Sequence, residues 1–245
     1  MPSGPVLAAA ANPWFSWDYL ERNGSDVLRY TQQHASLTVQ AVLIALVVAL
    51  PLAALAHARP RLAAPVLATT GVLYTVPSLA LFAVLAPVTG IGRTTVLVGL
   101  VVYALLVLVR NVLVGLQSVD PAVRDAARGM GYGRWRLLLG VELPQAVPAV
   151  VTGMRLATVS TVALVTVGVV VGYGGLGQLM FRGFRSNYHA EVMTATVLCL
   201  LLALVADLVL VALGRALTPW SRASAGRRRR GPAPSDAREE VAWAS

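Results

Sequence analysis

Ser118-Val119-Asp120-Pro121-Ala122-Val123-Arg124-Asp125-Ala126-Ala127-Arg128-Gly129-Met130-Gly131 is a polar interval between two long apolar runs, and its reading decides what the chain is. Asp120 is a good helix N-cap, because its carboxylate can accept from the free backbone N–H groups of a first turn. Pro121 suits the first helical position, where no N–H is missed. A short helix therefore starts here and stops at the glycines. Along it Val123, Ala126, Ala127 and Met130 recur at i, i+3, i+4 and i+7, with Arg124 and Arg128 elsewhere on its surface, so it carries a small apolar face. A helix this short is not stable alone and needs a surface to rest on. From periodicity, that surface is either its own protein or lipid, or a separate polypeptide.

Outward from this interval the chain is apolar. Thr94 to Gln117 and Pro144 to Val171 flank it; Leu37 to Ala56, Leu62 to Val88 and Val192 to Leu217 lie further out. Each reaches the roughly 20 residues that a helix needs to cross a hydrocarbon core. As a helix, each also satisfies its own backbone there. The composition agrees, with 57% hydrophobic residues, 13% charged and a mean hydropathy of +0.70. A soluble domain of this length would need more polar surface. The expected fold class is an all-α polytopic transmembrane bundle of about five spanning helices. Pro77, within Tyr74-Thr75-Val76-Pro77-Ser78, should kink or break the second run.

The charges set the orientation. The net charge is +9 and the pI about 10.8, but the arginines sit between the apolar runs and not on one soluble face, which argues against nucleic acid as a partner. If five spans alternate, Arg59, Arg61, Arg110, Arg124, Arg128, Arg134, Arg136, Arg215, Arg222, Arg227 to Arg230 and Arg238 share one side. Arg22, Arg29, Arg93, Arg182 and Arg185 lie on the other, with Arg155 inside the fourth span. The excess of positive charge marks the cytoplasm, so the N-terminus is expected outside and residues 118–143 inside. All basic residues are Arg. Without a Lys this chain holds neither a P-loop nor a Schiff base, and any ATP-driven work belongs to another polypeptide.

The expected organisation is an extracytoplasmic segment over 1–36, a transmembrane domain over 37–217 with its cytoplasmic loop at 118–143, and a disordered basic cytoplasmic tail over 218–245. Within that tail Arg227 to Arg230 either touch anionic lipid or act as a plain stop-transfer signal. No basic residue precedes the mildly apolar Pro5 to Ala11, so the N-terminus reads as uncleaved. Cys199, the single cysteine, lies deep in an apolar run and reads as packing. There is no internal repeat.

Asp125-Ala126-Ala127, Gly131 after three residues, and Val141-Glu142-Leu143-Pro144 after nine more resemble the EAA loop of ABC-importer permeases. That family's pattern has Glu where Asp125 stands and Ile where Val141 stands; every offset agrees. The resemblance runs from about Leu37 to Leu217. Tyr74-Thr75-Val76-Pro77-Ser78-Leu79-Ala80, Arg110-Asn111, Val119-Asp120-Pro121 and Gly172-Tyr173-Gly174-Gly175-Leu176-Gly177 are similar to the osmoprotectant branch, whose members import glycine betaine, carnitine, choline or proline. It implies the type I importer fold, working as a permease dimer of two copies or of this chain with a paralogue. It also implies two ABC ATPase subunits and an extracytoplasmic binding protein that delivers substrate. By the same resemblance Asp125, Ala126, Ala127, Gly131, Val141, Leu143 and Pro144 couple the permease to the ATPase; Asp125 is one methylene shorter than the usual Glu. No cofactor is implied.

Other features have plainer readings beside them. Gly172, Gly174 and Gly177 match a dinucleotide-binding GxGxxG by letter, but they follow a membrane-length helix and no βαβ unit, so they read as a turn on the outer face. Gly168 and Gly172, four apart, allow close helix packing. The hydroxyls of Thr158, Ser160, Thr161 and Thr166 either bond their own backbone or face a polar path. Asp207, the one acidic residue well inside a span, must find a partner or a cavity; it pairs with Arg155, pairs with the partner subunit, or meets substrate. Tyr74, Tyr103, Tyr173 and Tyr188 read as interfacial anchors as readily as an aromatic cage, and no cage is assigned. His34, His57 and His189 have no ligand spacing, so no metal is expected. Along a translocation path these readings place Tyr74, Ser78, Asn111, Thr158, Thr161 and Asp207. The rival readings are a permease for methionine or another amino acid, a secondary transporter or channel that runs without ATP, and a plain membrane anchor. The offsets of the loop argue against the last two.

Overall fold

The computed structural model describes residues 12–219; the N-terminal Pro5 to Ala11 stretch and the arginine-rich tail from residue 220 lie outside the described residues. Within them all regular structure is helical. Helix α1 (Trp17–Ala58) is followed by α2 (Pro60–Thr75), α3 (Ser78–Thr89), α4 (Arg93–Gln117) and the short α5 (Pro121–Gly129). Then α6 (Arg134–Leu137) runs through a π-helical turn (Leu138–Glu142) into α7 (Leu143–Val167), which tightens into a 3₁₀ turn (Gly168–Val171). Helices α8 (Leu176–Arg185) and α9 (His189–Leu217) complete the bundle.

Among the described residues, four continuous helices are long and apolar enough to cross a bilayer: Trp17–Ala58, Arg93–Gln117, Arg134–Val171 and His189–Leu217. The pair α2 and α3 makes a fifth span if its two arms are taken together, bent by 97° at the break. That break answers the question left by Pro77. Val76 and Pro77 both leave the helical region, with ψ near 127° and 135°; for Val76 the cause is the following proline, which pushes the residue before it toward extended backbone. The Tyr103 hydroxyl donates to the Val76 carbonyl, so the exposed backbone of the break is tied to α4.

The first helix is longer than its apolar run. Ser16 caps it, its hydroxyl accepting from the Tyr19 N–H at 3.2 Å, and the helix continues unbroken for 42 residues. At 1.5 Å per residue that is about 63 Å, twice the roughly 30 Å of a hydrocarbon core. The boundary expected between residues 36 and 37 therefore falls inside a helix, and residues 17–36 form its amphipathic continuation. Tyr19 and Val27 from this part are buried with Leu176 and Leu179 of α8 and Ala190 and Ala195 of α9. Cys199 packs at the edge of the same cluster.

Small residues set the distances between spans. Ala41, Ala45, Ala49 and Ala53 recur every fourth position on one face of α1 and are all fully buried. The lower part of this row packs into the cluster of Leu108, Val109, Val112 and Leu116 from α4. A side chain added at Gly115 would stand 2.8 Å from the Ala149 methyl, so α4 and α7 touch through small residues as well. Gly168 packs against Val96 with no room for a Cβ, whereas Gly172 is a left-handed cap at φ 78° where a Cβ would meet only Ile91, at an ordinary contact distance of 3.9 Å. The two glycines thus serve separate purposes, packing and turning, and do not form one motif.

Candidate functional site

Helix α5 has the geometry its sequence predicts. The Asp120 carboxylate accepts from the Ala122 N–H at 2.8 Å, and Pro121 opens the helix. At the other end the Gly131 N–H donates to Arg128 O at 2.9 Å and the Tyr132 N–H to Ala127 O at 3.1 Å. That paired closure needs a left-handed residue, and Gly131 supplies it at φ 82°. A Cβ on Gly131 would meet nothing within 4 Å, so in this chain the glycine is required by backbone conformation and not by space.

The small apolar face of α5 is split. Ala127 alone is buried against the bundle; Val123 and Met130 are 40% and 70% exposed, and Ala126 is exposed too. Asp125 is exposed and, among the described residues, pairs with Arg128 on its own helix, at 3.2 Å. Arg124, which the helical pattern sets off the apolar face, turns inward. Its Nη2 donates to Leu116 O at 3.0 Å and Gln117 O at 3.3 Å, capping the C-terminus of α4.

Val141, Leu143 and Pro144 lie where the loop re-enters the bundle. Pro144 has no N–H to give to the carbonyl four residues back, and its ring crowds that carbonyl, so the helix widens just before it into the π-helical turn. Leu143 packs against the cluster of Leu108, Val109, Val112 and Leu116. The extra residue in the turn swings Glu142 inward, where it is 5% exposed. Its Oε1 lies 3.2 Å from Arg124 Nε and 3.2 Å from His57 Nε2 at the end of α1. Sequence reasoning passed over this cluster; the available signal was an acidic residue between Val141 and Leu143 at the threshold of an apolar span.

The residues placed along a path are more dispersed. Tyr74 sits beside the α2–α3 break with its ring edge-on to Tyr103, centroids 5.8 Å apart, and Ser78 begins α3. Asn111 donates to Val107 O at 2.8 Å, and its side chain packs where Gly153 of α7 leaves room. Thr161 is buried at 1% exposure, and Thr158 borders an apolar cleft of about 210 Å³ between α1, α7 and α9. Of the six, only Thr158 borders that cleft. Asp207 accepts two hydrogen bonds from Arg155, at 2.7 and 2.9 Å, which joins α9 to α7.

At the opposite end, Gly172 turns the chain as its letters suggested, while Gly174, Gly175 and Gly177 serve packing. A Cβ on Gly175 would stand 2.7 Å from His34, and one on Gly177 2.3 Å from Thr166 O. His34 is fully buried there, its Nε2 3.0 Å from Val162 O while its Nδ1 accepts from the Leu176 N–H at 3.3 Å. His189 is stacked on Trp14, centroids 4.3 Å apart. Arg182 of α8 bridges Glu191 of α9 at 2.5 Å and Asp26 of α1 at 3.4 Å. Burial works against its charge, but Glu191 and Asp26 outweigh burial and push its pKa further up.

Residues 36–223 match the family described as the binding-protein-dependent transport system inner membrane component. The chain belongs to that family. The permease is 37% identical over 202 residues to the glycine betaine/carnitine/choline transport system permease protein OpuCD of Bacillus subtilis, covering 82% of this chain and 88% of the relative. It is 34% identical to the carnitine transport permease protein OpuCB of Listeria monocytogenes, covering 82% and 92%. Among solved structures it is similar to a chain of the inward-facing MetNI methionine ABC transporter, with a TM-score of 0.73 and 26% identity, covering 78% of the permease and 96% of that chain. The permease is thus an all-α, multi-pass inner-membrane component of a transport system with the type I ABC-importer fold.

Proposed function

We propose that this permease imports a small osmoprotectant, of the class of glycine betaine, carnitine, choline or proline, which an extracytoplasmic binding protein delivers and an ATPase on a separate subunit drives. The single observation that carries the substrate class is the 37% identity to a glycine betaine/carnitine/choline permease over 82% of the chain. For the drive, the support is α5, a capped helix on whose exposed surface lie Val123, Ala126, Met130 and the Asp125 carboxylate, the last paired with Arg128 of the same helix.

In this reading residues 37–217 form the transmembrane domain, the positive-inside asymmetry puts the 118–143 loop and the 218–245 tail in the cytoplasm, and the N-terminus lies outside. Two permease chains, identical or paralogous, sit on two ATPases. ATP closes the ATPases, each docked α5 moves with its ATPase, and the spans rock between inward-open and outward-open states. Asp125, Ala126, Ala127, Gly131, Val141, Leu143 and Pro144 are the coupling residues, and Tyr74, Ser78, Asn111, Thr158, Thr161 and Asp207 are the proposed path. Reconstitution of the permease with its ATPase and binding protein, followed by uptake of radiolabelled glycine betaine, carnitine, choline and proline, tests this. ATP-dependent uptake of at least one is expected. Uptake of methionine alone would move the permease to the amino-acid class to which its structural likeness at 26% identity also points.

A further inference from the structure

Coupling requires more than a docked helix, because a helix on a pliant loop would yield to the ATPase without moving the spans. Helix α5 is joined to the bundle by little apolar packing: Ala127 is its only buried residue, with Val119 buried in the link before it. What holds it is polar. Arg124 reaches from α5 to the last carbonyls of α4, at Leu116 and Gln117, and sets its Nε 3.2 Å from Glu142. This approach is one of charge and distance and not an aligned hydrogen bond, since Nε is otherwise unpartnered. Glu142 in turn stands at the head of α7 and faces His57 Nε2 at 3.2 Å, one residue before the end of α1. A single carboxylate therefore meets α5, α7 and α1, and through Arg124 also α4.

The π-helical turn is what brings it there. In a regular helix the position of Glu142 would lie about 100° further round the axis. The extra residue in Leu138–Glu142 re-aims the side chain into the junction, where it is 5% exposed. A carboxylate so enclosed requires its cation, and a π turn set into a helix is a known device for presenting one side chain.

We propose that Arg124, Glu142 and His57 form a strut that transmits the displacement of α5 to three spans at once, α1, α4 and α7. Glu142 and Arg124 are positioning residues for transport: they touch neither substrate nor nucleotide. The proposal rests on the docking of α5 to an ATPase. Loss of the strut leaves that docking intact, because Val123, Ala126 and Met130 are unchanged, but lets α5 move without the spans. ATP is then hydrolysed without transport.

The test uses the complete reconstituted importer in proteoliposomes and reads substrate transported per ATP hydrolysed. Single removal of Arg124 strands a buried carboxylate and risks misfolding, so the informative variant is the double Arg124→Gln, Glu142→Gln, which removes both charges and keeps the volumes. The expected result is a complex that still co-purifies with the ATPase and still hydrolyses ATP, with the ratio of substrate to ATP lowered tenfold or more. Glu142→Asp, which keeps the charge one methylene further back, should fall between the double variant and the wild type. A double variant that transports with the wild-type ratio overturns the strut, as does one in which transport and hydrolysis fall together in proportion, which marks a purely structural role. Failure of the wild-type permease to bind any ATPase overturns the docking itself, and is recognised by its occurring without mutation.

Discussion

Gly131 offers the sharpest test of the local structure at the coupling loop. At φ 82° it closes α5 with two hydrogen bonds, Gly131 N–H to Arg128 O and Tyr132 N–H to Ala127 O. A Cβ there would meet no atom within 4 Å, so the steric cost in this chain is nil and only the backbone term remains. Left-handed backbone costs an L-residue about 1–2 kcal/mol, and Asn less because its short amide bonds locally. One or two kcal/mol is a factor of roughly 5–30 in the population of the closed turn. Substitution should therefore rank Gly and Asn together at the top, Ala lower by about that factor, and Val, branched at Cβ, lowest. The assay is uptake in proteoliposomes normalised to permease content, beside co-purification of the ATPase. If Gly131→Val matches the wild type, the turn is not required. If Gly131→Asn fails as badly as Gly131→Val, the demand comes from the space a docked partner leaves and not from φ, and the reasoning is wrong.

Other outcomes follow from the same structure. Gly177→Ala drives a Cβ to 2.3 Å from Thr166 O, a backbone atom that cannot rotate away, so α8 must separate from α7; overpacking of this kind costs about 1–3 kcal/mol, read as a lower melting temperature of the purified permease. Ala49→Leu, on the fully buried alanine row of α1, should cost a similar 1–3 kcal/mol by forcing α1 from α4, whereas Val47→Leu on the exposed face should leave melting unchanged. Arg155→Ala and Asp207→Ala each strand a charge within a span, so each should lower membrane abundance more than the double variant does. Equal abundance of all three would show that the pair is dispensable.

The sequence made the spans legible because lipid imposes one requirement, an apolar helix of sufficient length, that hydropathy reports directly. The cap and stop of α5 were legible for a similar reason: Asp120, Pro121 and Gly131 act through local backbone chemistry. What depends on tertiary contact was hidden. Residues 17–36 look polar, yet they continue α1 because Tyr19 and Val27 find α8 and α9. Periodicity set Arg124 off the apolar face of α5, and only the approach of α4 and α7 gives it partners there. Glu142 occupies a position the loop pattern leaves open, and its burial depends on a π turn that no hydrophobic period announces. The path residues were chosen by residue type, and type does not say which of them share a cavity; only Thr158 borders the cleft between α1, α7 and α9.

The central claim is that the 118–143 loop lies in the cytoplasm and grips an ATPase. With Cys199 replaced by Ser, a single cysteine at Met130, which is 70% exposed, can be probed with a membrane-impermeant thiol reagent. The account predicts labelling in inside-out vesicles stripped of the ATPase, protection once the ATPase is added back, and none in intact cells. Labelling of Met130→Cys from outside intact cells would contradict it.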